Sequence, residues 1–579
     1  MDRNQLLRWV LIAGVTLAIY QFFIKGRGTP DHQPVPAEHY VNAPGFPIDV
    51  LDTPAPGETR PNAPPEGEIC TIQGQRFVAE LSSRGAAIKH FNLQDRYAGT
   101  SAADMSTTPD HERWRSLRTL FRAEGANDQL RYDRFPWKLE SQGGKACKFT
   151  YTDESLVEIT KTVTASARPF ELDVETKIKN LATEPKKHRF AIEAFGFRRN
   201  KEISGHLGSV SPFVTELSCA NSKEVVRHGK DDFKNGWLTV SNADRYAAVS
   251  DYYFGRALIP VDGAPSCEIL AEDWYADGQA RDADDAGAVY HARLAYASRE
   301  LAPGAEATYR QTAFFGPKER QVLANAAEGK KGLGDLINLG FFSPVAKVLV
   351  GILQFFHDKV TFGNWGIAII LMTICLRTAL FPLSLKQIRT SFAMRKLKPE
   401  VDALNVKFAD DPQAKQMAMM ELWRKHGVNP LGGCLPQLAQ MPVWFAMYTT
   451  LQTAVEMYHT KFLWFADLSV ADRFFVLPVI LGGLMIVQQR LVPQQGMDPV
   501  QQKMMMYMMP AVFMVMMLFL PAALGVYMMT NSVLGIAQQL IVERFAPKAG
   551  PPNIEVRALG NEGKGSKPPP SLGKEKASV

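Results

Sequence analysis

Cysteine is scarce in this chain, six among 579 residues, and none is spaced as CxxC or with histidine in a metal-ligand pattern, so a structural zinc or a dithiol redox motif has no basis. No GxxxxGK[ST] occurs, which removes a phosphate-cradling nucleotide loop. Histidine is sparse too. In the polar half His90, His188, His206, His228 and His291 stand singly, with no acid or base at catalytic spacing, and no cofactor is expected. Formal net charge is only +6, and no basic run is dense enough to suggest nucleic acid. The most informative absence lies in the five apolar stretches between residues 362 and 542, whose interiors contain no Asp or Glu. Their one internal charge is Arg377.

The chain has two unlike halves, which a mean hydropathy of -0.13 averages away. Residues 6–24 form an apolar run of membrane-spanning length. Lys25, Gly26 and Arg27 follow it instead of a small-x-small cleavage site, so residues 1–25 are expected to be an uncleaved anchor. Residues 26–66 are rich in Pro, Gly, Ala and Asp, a composition that cannot bury a core and suits a tether. Residues 67–325 carry short alternating runs (FVAEL, AAIKHFNL, LVEITKTVT, FELDVETKIKN, RFAIEAFGF, ATYRQTAFF) between turn-forming clusters. Period-two patterning with β-branched and aromatic residues predicts a large antiparallel sandwich. Its cysteines, Cys70, Cys147, Cys219 and Cys267, can pair in three ways in an oxidising compartment or remain buried thiols.

Residues 331–360 are interrupted by Lys347 and carry Pro344 after a candidate Ser343 N-cap, which predicts an amphipathic helix lying in the membrane interface. Residues 362–383 predict a spanning helix containing Arg377. Residues 384–430 predict a polar helical hairpin, with an apolar stripe of Met394, Leu397, Val401, Leu404 and Phe408. Asp411 is expected to cap its second helix, Pro412 to open it and Gly427 to end it. Four further apolar stretches, 431–454, 474–489, 504–520 and 522–542, complete a five-helix core over 362–545. The hairpin is rich in Lys and Arg, whereas the 456–473 loop holds only Lys461 and Arg473. The hairpin is therefore expected in the cytoplasm, with both termini, and the β domain outside. Residues 546–579 form a basic tail that suits anionic lipid, ribosomal RNA or simple solvation.

A guanidinium in hydrocarbon costs about 2.5–3.5 kcal/mol even on insertion scales, so Arg377 is a candidate functional residue. At 1.5 Å per residue it lies ~13 Å from Lys386 and ~18 Å from Trp365, beyond easy snorkelling. The other polar side chains of the spans are neutral: Thr373, Gln437, Gln440, Thr449, Thr450, Thr530, Asn531, Ser532, Gln538 and Gln539. Each could be interhelical glue; together with Arg377 they suggest a hydrated recess. A secondary transporter would need coupling carboxylates, which are missing. An anchored periplasmic carbohydrate enzyme would leave Arg377 without a role. The methionine-rich stretch 504–517 suits adaptable apolar packing.

The stretch 429–448, NPLGGCLPQLAQMPVWFAMY, resembles the signature of the YidC/Oxa1/Alb3 membrane protein insertases. So do Asn364, Trp365 and Gly366, the span with Arg377 and Pro382, the basic hairpin, and Asp498-Pro499 with Gln501, Gln502 and Lys503. In the β half, 251–260 (DYYFGRALIP) and 315–318 (FGPK) resemble the periplasmic domain of Gram-negative members, a fold similar to galactose mutarotase-like supersandwiches. The resemblance implies an inner-membrane protein that inserts nascent proteins, alone or beside the Sec translocon, through a hydrophilic groove closed toward the periplasm. Arg377 would be the groove arginine, with Gln437, Gln440, Thr530 and Asn531 lining it. Many members carry two adjacent tyrosines on the last span; here they read Tyr527-Met528, so Met528 and its neighbours would supply apolar contact to the substrate. Arg389, Arg395, Lys396 and Lys398 of the hairpin would meet the ribosome or a targeting receptor.

Overall fold

The computed structural model describes residues 67–545, except 99–102, 107–113, 124–136, 142–143, 154–155, 204–213, 235, 276–279, 281, 409–410, 428–430 and 492–498. The expected anchor, tether and basic tail lie outside the described residues.

The β half is a sandwich of antiparallel sheets, as the alternating runs predict. A nine-stranded sheet runs in the order Val225–His228, Glu216–Ala220, Tyr246–Ser250, Phe254–Pro260, Glu306–Pro317, Glu171–Asn180, Val157–Ala165, Ala146–Asp153, Lys138–Ser141. A six-stranded sheet is built around Lys186–Arg199 and Gly287–Ala295, and a three-stranded sheet spans Ile69–Gly74, Phe77–Ser82 and Ala87–Leu93. Along Val157–Ala165 the inward positions are Val157, Ile159, Lys161 and Val163, so the period-two pleat carries even a lysine into the core. Two disulfides tie the sheets. Cys70 pairs with Cys147, joining the three-stranded to the nine-stranded sheet, and Cys219 pairs with Cys267, joining the nine-stranded to the six-stranded sheet.

The helical half comprises α1 (Ser343–Phe355), α2 (Trp365–Ala379), α3 (Phe381–Lys396), α4 (Lys398–Lys407), α5 (Pro412–Lys425), α6 (Leu431–Gln452), α7 (Val476–Leu491), α8 (Pro499–Met517) and α9 (Ala522–Phe545). Three local expectations are corrected. Ser343 is not the cap of α1: Phe342 holds that position and makes no capping bond, while Ser343 and Pro344 form the first turn. The stretch 362–383 is not one straight span. Asn364 caps α2 by accepting from the Ile367 amide at 3.0 Å, and α2 bends by 63° into α3, where Pro382 falls in the first turn and cannot continue the preceding hydrogen-bond ladder. The 15 residues of α2 reach about 22 Å, short of a hydrocarbon core. Among the described residues no single helix is long and apolar enough to cross a membrane, whereas the bent pair α2 and α3 together is. In the hairpin, the stripe breaks at Leu397 before Pro399, so only Val401 and Leu404 of α4 pack on Met419, Leu422 and Trp423 of α5. Asp411 does cap α5, accepting from the Gln413 and Ala414 amides at 3.0 Å, and Gly427 closes the turn with φ of 64°.

The halves are clasped. Arg320 donates to the Glu456 carboxylate from its backbone at 3.0 Å and its guanidinium at 2.8 Å. Arg96 reaches the Glu456 carbonyl at 2.9 Å. Val455 and Tyr458, from the loop after α6, are buried in the core of the β half, Tyr458 against Tyr97, Tyr253 and Phe254.

Candidate functional site

Arg377 lies in the last turn of α2, where partly unsatisfied carbonyls at the helix C-terminus favour a cation. That helix packs on α9, and α9 packs on α7. Across the first contact the Arg377 Nε donates to Asn531 Oδ1 at 2.6 Å and Nη2 donates to the Asn531 backbone carbonyl at 2.8 Å. Arg377 is thus not the unpaired cation that the sequence suggests. Its partners are neutral, so the hydrogen bonds fix the guanidinium plane without cancelling its charge.

Gly535, one turn beyond Asn531, explains how the guanidinium reaches a helix backbone. A Cβ at Gly535 would stand 3.1 Å from Arg377 Nη2 and 3.5 Å from Gln488 Nε2. The glycine therefore makes room where α2, α7 and α9 meet. Gln538, seven residues beyond Asn531 and so on the same helical face, keeps a buried Oε1 with no hydrogen-bond partner among the described residues. Gln539 donates to the Leu491 carbonyl at 3.0 Å. The groups beside Arg377 are therefore Asn531, Gly535 and Gln488, with Gln538 farther along the same face of α9. Gln488 and Gly535 were missed in the sequence, the first because it ends an apolar run and the second because glycine has no chemical signature. The spacing of Gly535 four residues after Asn531 is the signal that could have found it.

The other predicted residues are placed differently. The Thr530 hydroxyl donates to the Val526 carbonyl of its own helix at 2.8 Å, which is local satisfaction of a polar group. Met528 is buried in the apolar core of the helical half beside Tyr527, so in this conformation it presents no surface to a substrate. Gln440 is half-buried on α6 and makes no hydrogen bond to Arg377 among the described residues. The Gln437 side chain lies outside those described. In the hairpin, Arg389, Lys396 and Lys398 are exposed, but Arg395 is engaged: it pairs with Glu543 at 3.1 Å, donates to the Leu491 carbonyl and lies over Phe392. Arg395 thus ties α3 to α7 and α9.

Comparison with known proteins covers both halves. The profile of the 60Kd inner membrane protein family matches residues 355–549 and that of the YidC periplasmic domain matches residues 69–352. A membrane protein insertase YidC of Anaeromyxobacter dehalogenans (strain 2CP-C) is 30% identical over 565 residues, covering 94% of this chain and 98% of the relative. That of Nitratidesulfovibrio vulgaris is 32% identical, covering 83% and 87%. Among solved structures, an active YidC insertase with its first transmembrane domain resolved aligns at 18% identity and TM-score 0.36, over 82% of this chain and 94% of that one. A galactose mutarotase-like protein from Lactobacillus casei aligns at 13% identity and TM-score 0.30, over 43% of this chain and 100% of that one. The disulfides of the β half agree with the oxidising compartment that a periplasmic domain implies. The chain belongs to the YidC family of membrane protein insertases.

Proposed function

We propose that this chain takes hydrophobic segments of nascent inner-membrane proteins from the cytoplasm into the bilayer through a hydrated recess around Arg377, alone or beside the Sec translocon. The observation that carries this reading is a guanidinium oriented by Asn531 yet left with its full charge, with no carboxylate in the spans. An acidic residue in a translocated tail is the natural counter-ion. A charge in a narrow recess walled by apolar helices attracts it more strongly than one in bulk water, which lowers the cost of drawing the tail part-way into the membrane. Asn531 is a positioning residue in this scheme, and Gln488, Gln538, Gln437, Gln440 and Thr530 supply polar surface that keeps the recess wet. The apolar segment leaves sideways into lipid, driven by its own burial. No cofactor enters.

The hairpin 384–430 is read as cytoplasmic, with Arg389, Lys396 and Lys398 available to the ribosome or a targeting receptor and the tail from residue 546 near anionic lipid. The helix α1 is read as lying in the periplasmic interface. It packs Ala346, Leu349, Val350 and Leu353 inward and leaves Val348 and Phe355 exposed seven residues apart, an apolar stripe facing outward.

The test is reconstituted insertion of paired substrates whose translocated tails are acidic or neutral. Arg377→Ala is expected to reduce insertion of the acidic set several-fold more than the neutral set, while Arg377→Lys largely preserves both. Equal insertion of the two sets by the alanine variant would overturn the electrostatic mechanism. Deleting 391–425 is expected to abolish co-translational crosslinks to the ribosome; unchanged crosslinks would remove the hairpin's role.

A further inference from the structure

A cavity of about 650 Å³ lies where the β half meets the start of α1. Lys223, Glu224 and Arg227 line it from the hairpin that ends the nine-stranded sheet, Arg245 from the neighbouring loop, Asp335 from the linker, and Lys347 from α1. With Arg320, the lining holds five cationic and two acidic residues.

Most of these charges already have work to do. Arg245 holds the linker through the Lys331 and Gly332 carbonyls and the Asp335 carboxylate, and Arg320 is committed to Glu456. Lys223 and Lys347 are different: both are exposed, and neither ammonium has an ion-pair partner among the described residues. Between them Arg227 gives one nitrogen to the Asp335 carbonyl, while its Nε is buried without a hydrogen-bond partner among the described residues, the Glu216 carboxylate standing 3.7 Å away. Two ammonium groups without ion pairs, against the one exposed Glu224 carboxylate that shares the lining, leave the cavity cationic and ask for an anion with several acceptor oxygens. The surroundings narrow its source. Lys347 adjoins Val348, from which the exposed apolar stripe runs to Phe355, so a cationic recess opens at one end of an apolar strip.

We propose that this cavity binds the phosphate headgroup of an anionic phospholipid of the outer leaflet, with Lys223 and Lys347 on the phosphodiester, Arg227 adding its charge from the wall, and an acyl chain along Val348 and Phe355. A free phosphate would satisfy the same nitrogens but would make no use of the stripe. The proposal rests on the interfacial placement of α1. It makes the junction between the β domain and the membrane helices a lipid-filled seam, and so a place where membrane composition acts on the protein.

The test uses the full chain in neutral detergent, with bound lipid counted by native mass spectrometry. The probes are diheptanoyl phosphatidylglycerol, diheptanoyl phosphatidylcholine and inorganic phosphate. Phosphatidylglycerol is expected to be retained over phosphatidylcholine and not to be displaced by equimolar phosphate. The variant Lys223→Ala with Lys347→Ala removes no internal bond. Near an anionic lipid each lysine contributes roughly fivefold, so its retention is expected to weaken on the order of 20-fold. Equal retention by the variant would overturn the site, and displacement by phosphate would overturn the lipid as its ligand. A second arm places a fluorophore on Val348→Cys in a Cys375→Ser, Cys434→Ser background and measures quenching by brominated lipid. Quenching with unaltered retention sinks the headgroup site but keeps α1 in the interface. Absence of quenching sinks the interfacial placement and this proposal with it. Neither outcome bears on insertion through Arg377.

Discussion

The two halves of the molecule treat buried charge in opposite ways. In the β half Glu193 is fully buried between Arg118 at 2.6 Å and Arg293, whose Nε donates at 2.6 Å. Arg293 also meets Glu268 at 3.0 Å and lies 4.2 Å over Trp237. The guanidinium groups hold the Glu193 carboxyl well below the usual range despite its burial. Every charge of that cluster has an opposite, and the cluster is closed. In the helical half the one internal charge has only amide partners. A closed ionic cluster can specify packing but has nothing left to offer a ligand; a cation oriented by neutral groups keeps its field. The contrast between this cluster and Arg377 is one of partners, acidic against neutral; Lys161, buried in the β half with only the Leu117 carbonyl and the Thr119 hydroxyl to accept from it, answers its burial by a lowered pKa instead.

Four measurements on the full chain would break or sharpen that contrast. Glu193→Gln strands Arg118 and Arg293 and is expected to cost about 3–5 kcal/mol of stability, read as the denaturant midpoint of the β-strand signal; a loss below 1 kcal/mol would mean the cluster is not structural. Replacing Cys219 and Cys267 by serine removes the tie between the nine-stranded and six-stranded sheets and is expected to cost about 2–4 kcal/mol, with wild-type protein in reductant losing more because Cys70–Cys147 is broken as well. The third concerns pH. Burial lowers Lys161 to about 7 and Lys318 to about 8. Above those values the unfolded chain binds protons that the folded one does not, up to the ordinary lysine range, so stability rises with pH. From pH 7 to 9 the gain from Lys161 is about 2 kcal/mol, and Lys161→Met should flatten it. Smallest of all, Arg377→Met is expected to change stability by less than about 1 kcal/mol, because it loses hydrogen bonds but also a desolvated charge. A loss as large as that of Glu193→Gln would make Arg377 another structural charge.

The strands were legible where an alternating run buries one side, as in Val157–Ala165, although Lys186–Arg199 is buried on both faces from Phe190 to Arg198, and the cap at Asp411 follows from local chemistry. Arg377 was legible as a solitary charge, but its partner was not. Pairing Asn531 with it requires knowing that α2 lies on α9, a contact 154 residues apart in sequence. The bend at Leu380 was hidden for the opposite reason. Hydropathy runs smoothly across it, and only the backbone consequence of Pro382 interrupts the helix. Arg395 looked like a free surface cation because Glu543 and the Leu491 carbonyl come from helices that sequence proximity does not bring near it.

The clasp at Glu456 has a consequence for biosynthesis. Arg320 and Glu456 are 136 residues apart, and a chain made from its N-terminus completes the strands of the β half well before the loop bearing Val455 and Tyr458 emerges. During that interval the socket of Tyr97, Tyr253 and Phe254 stands empty and apolar. The β half therefore cannot finish folding on its own schedule. Its last core residues, Val455 and Tyr458, arrive only with the loop after α6, so that, on the proposed topology, closure of the socket waits until α6 has been threaded across the membrane.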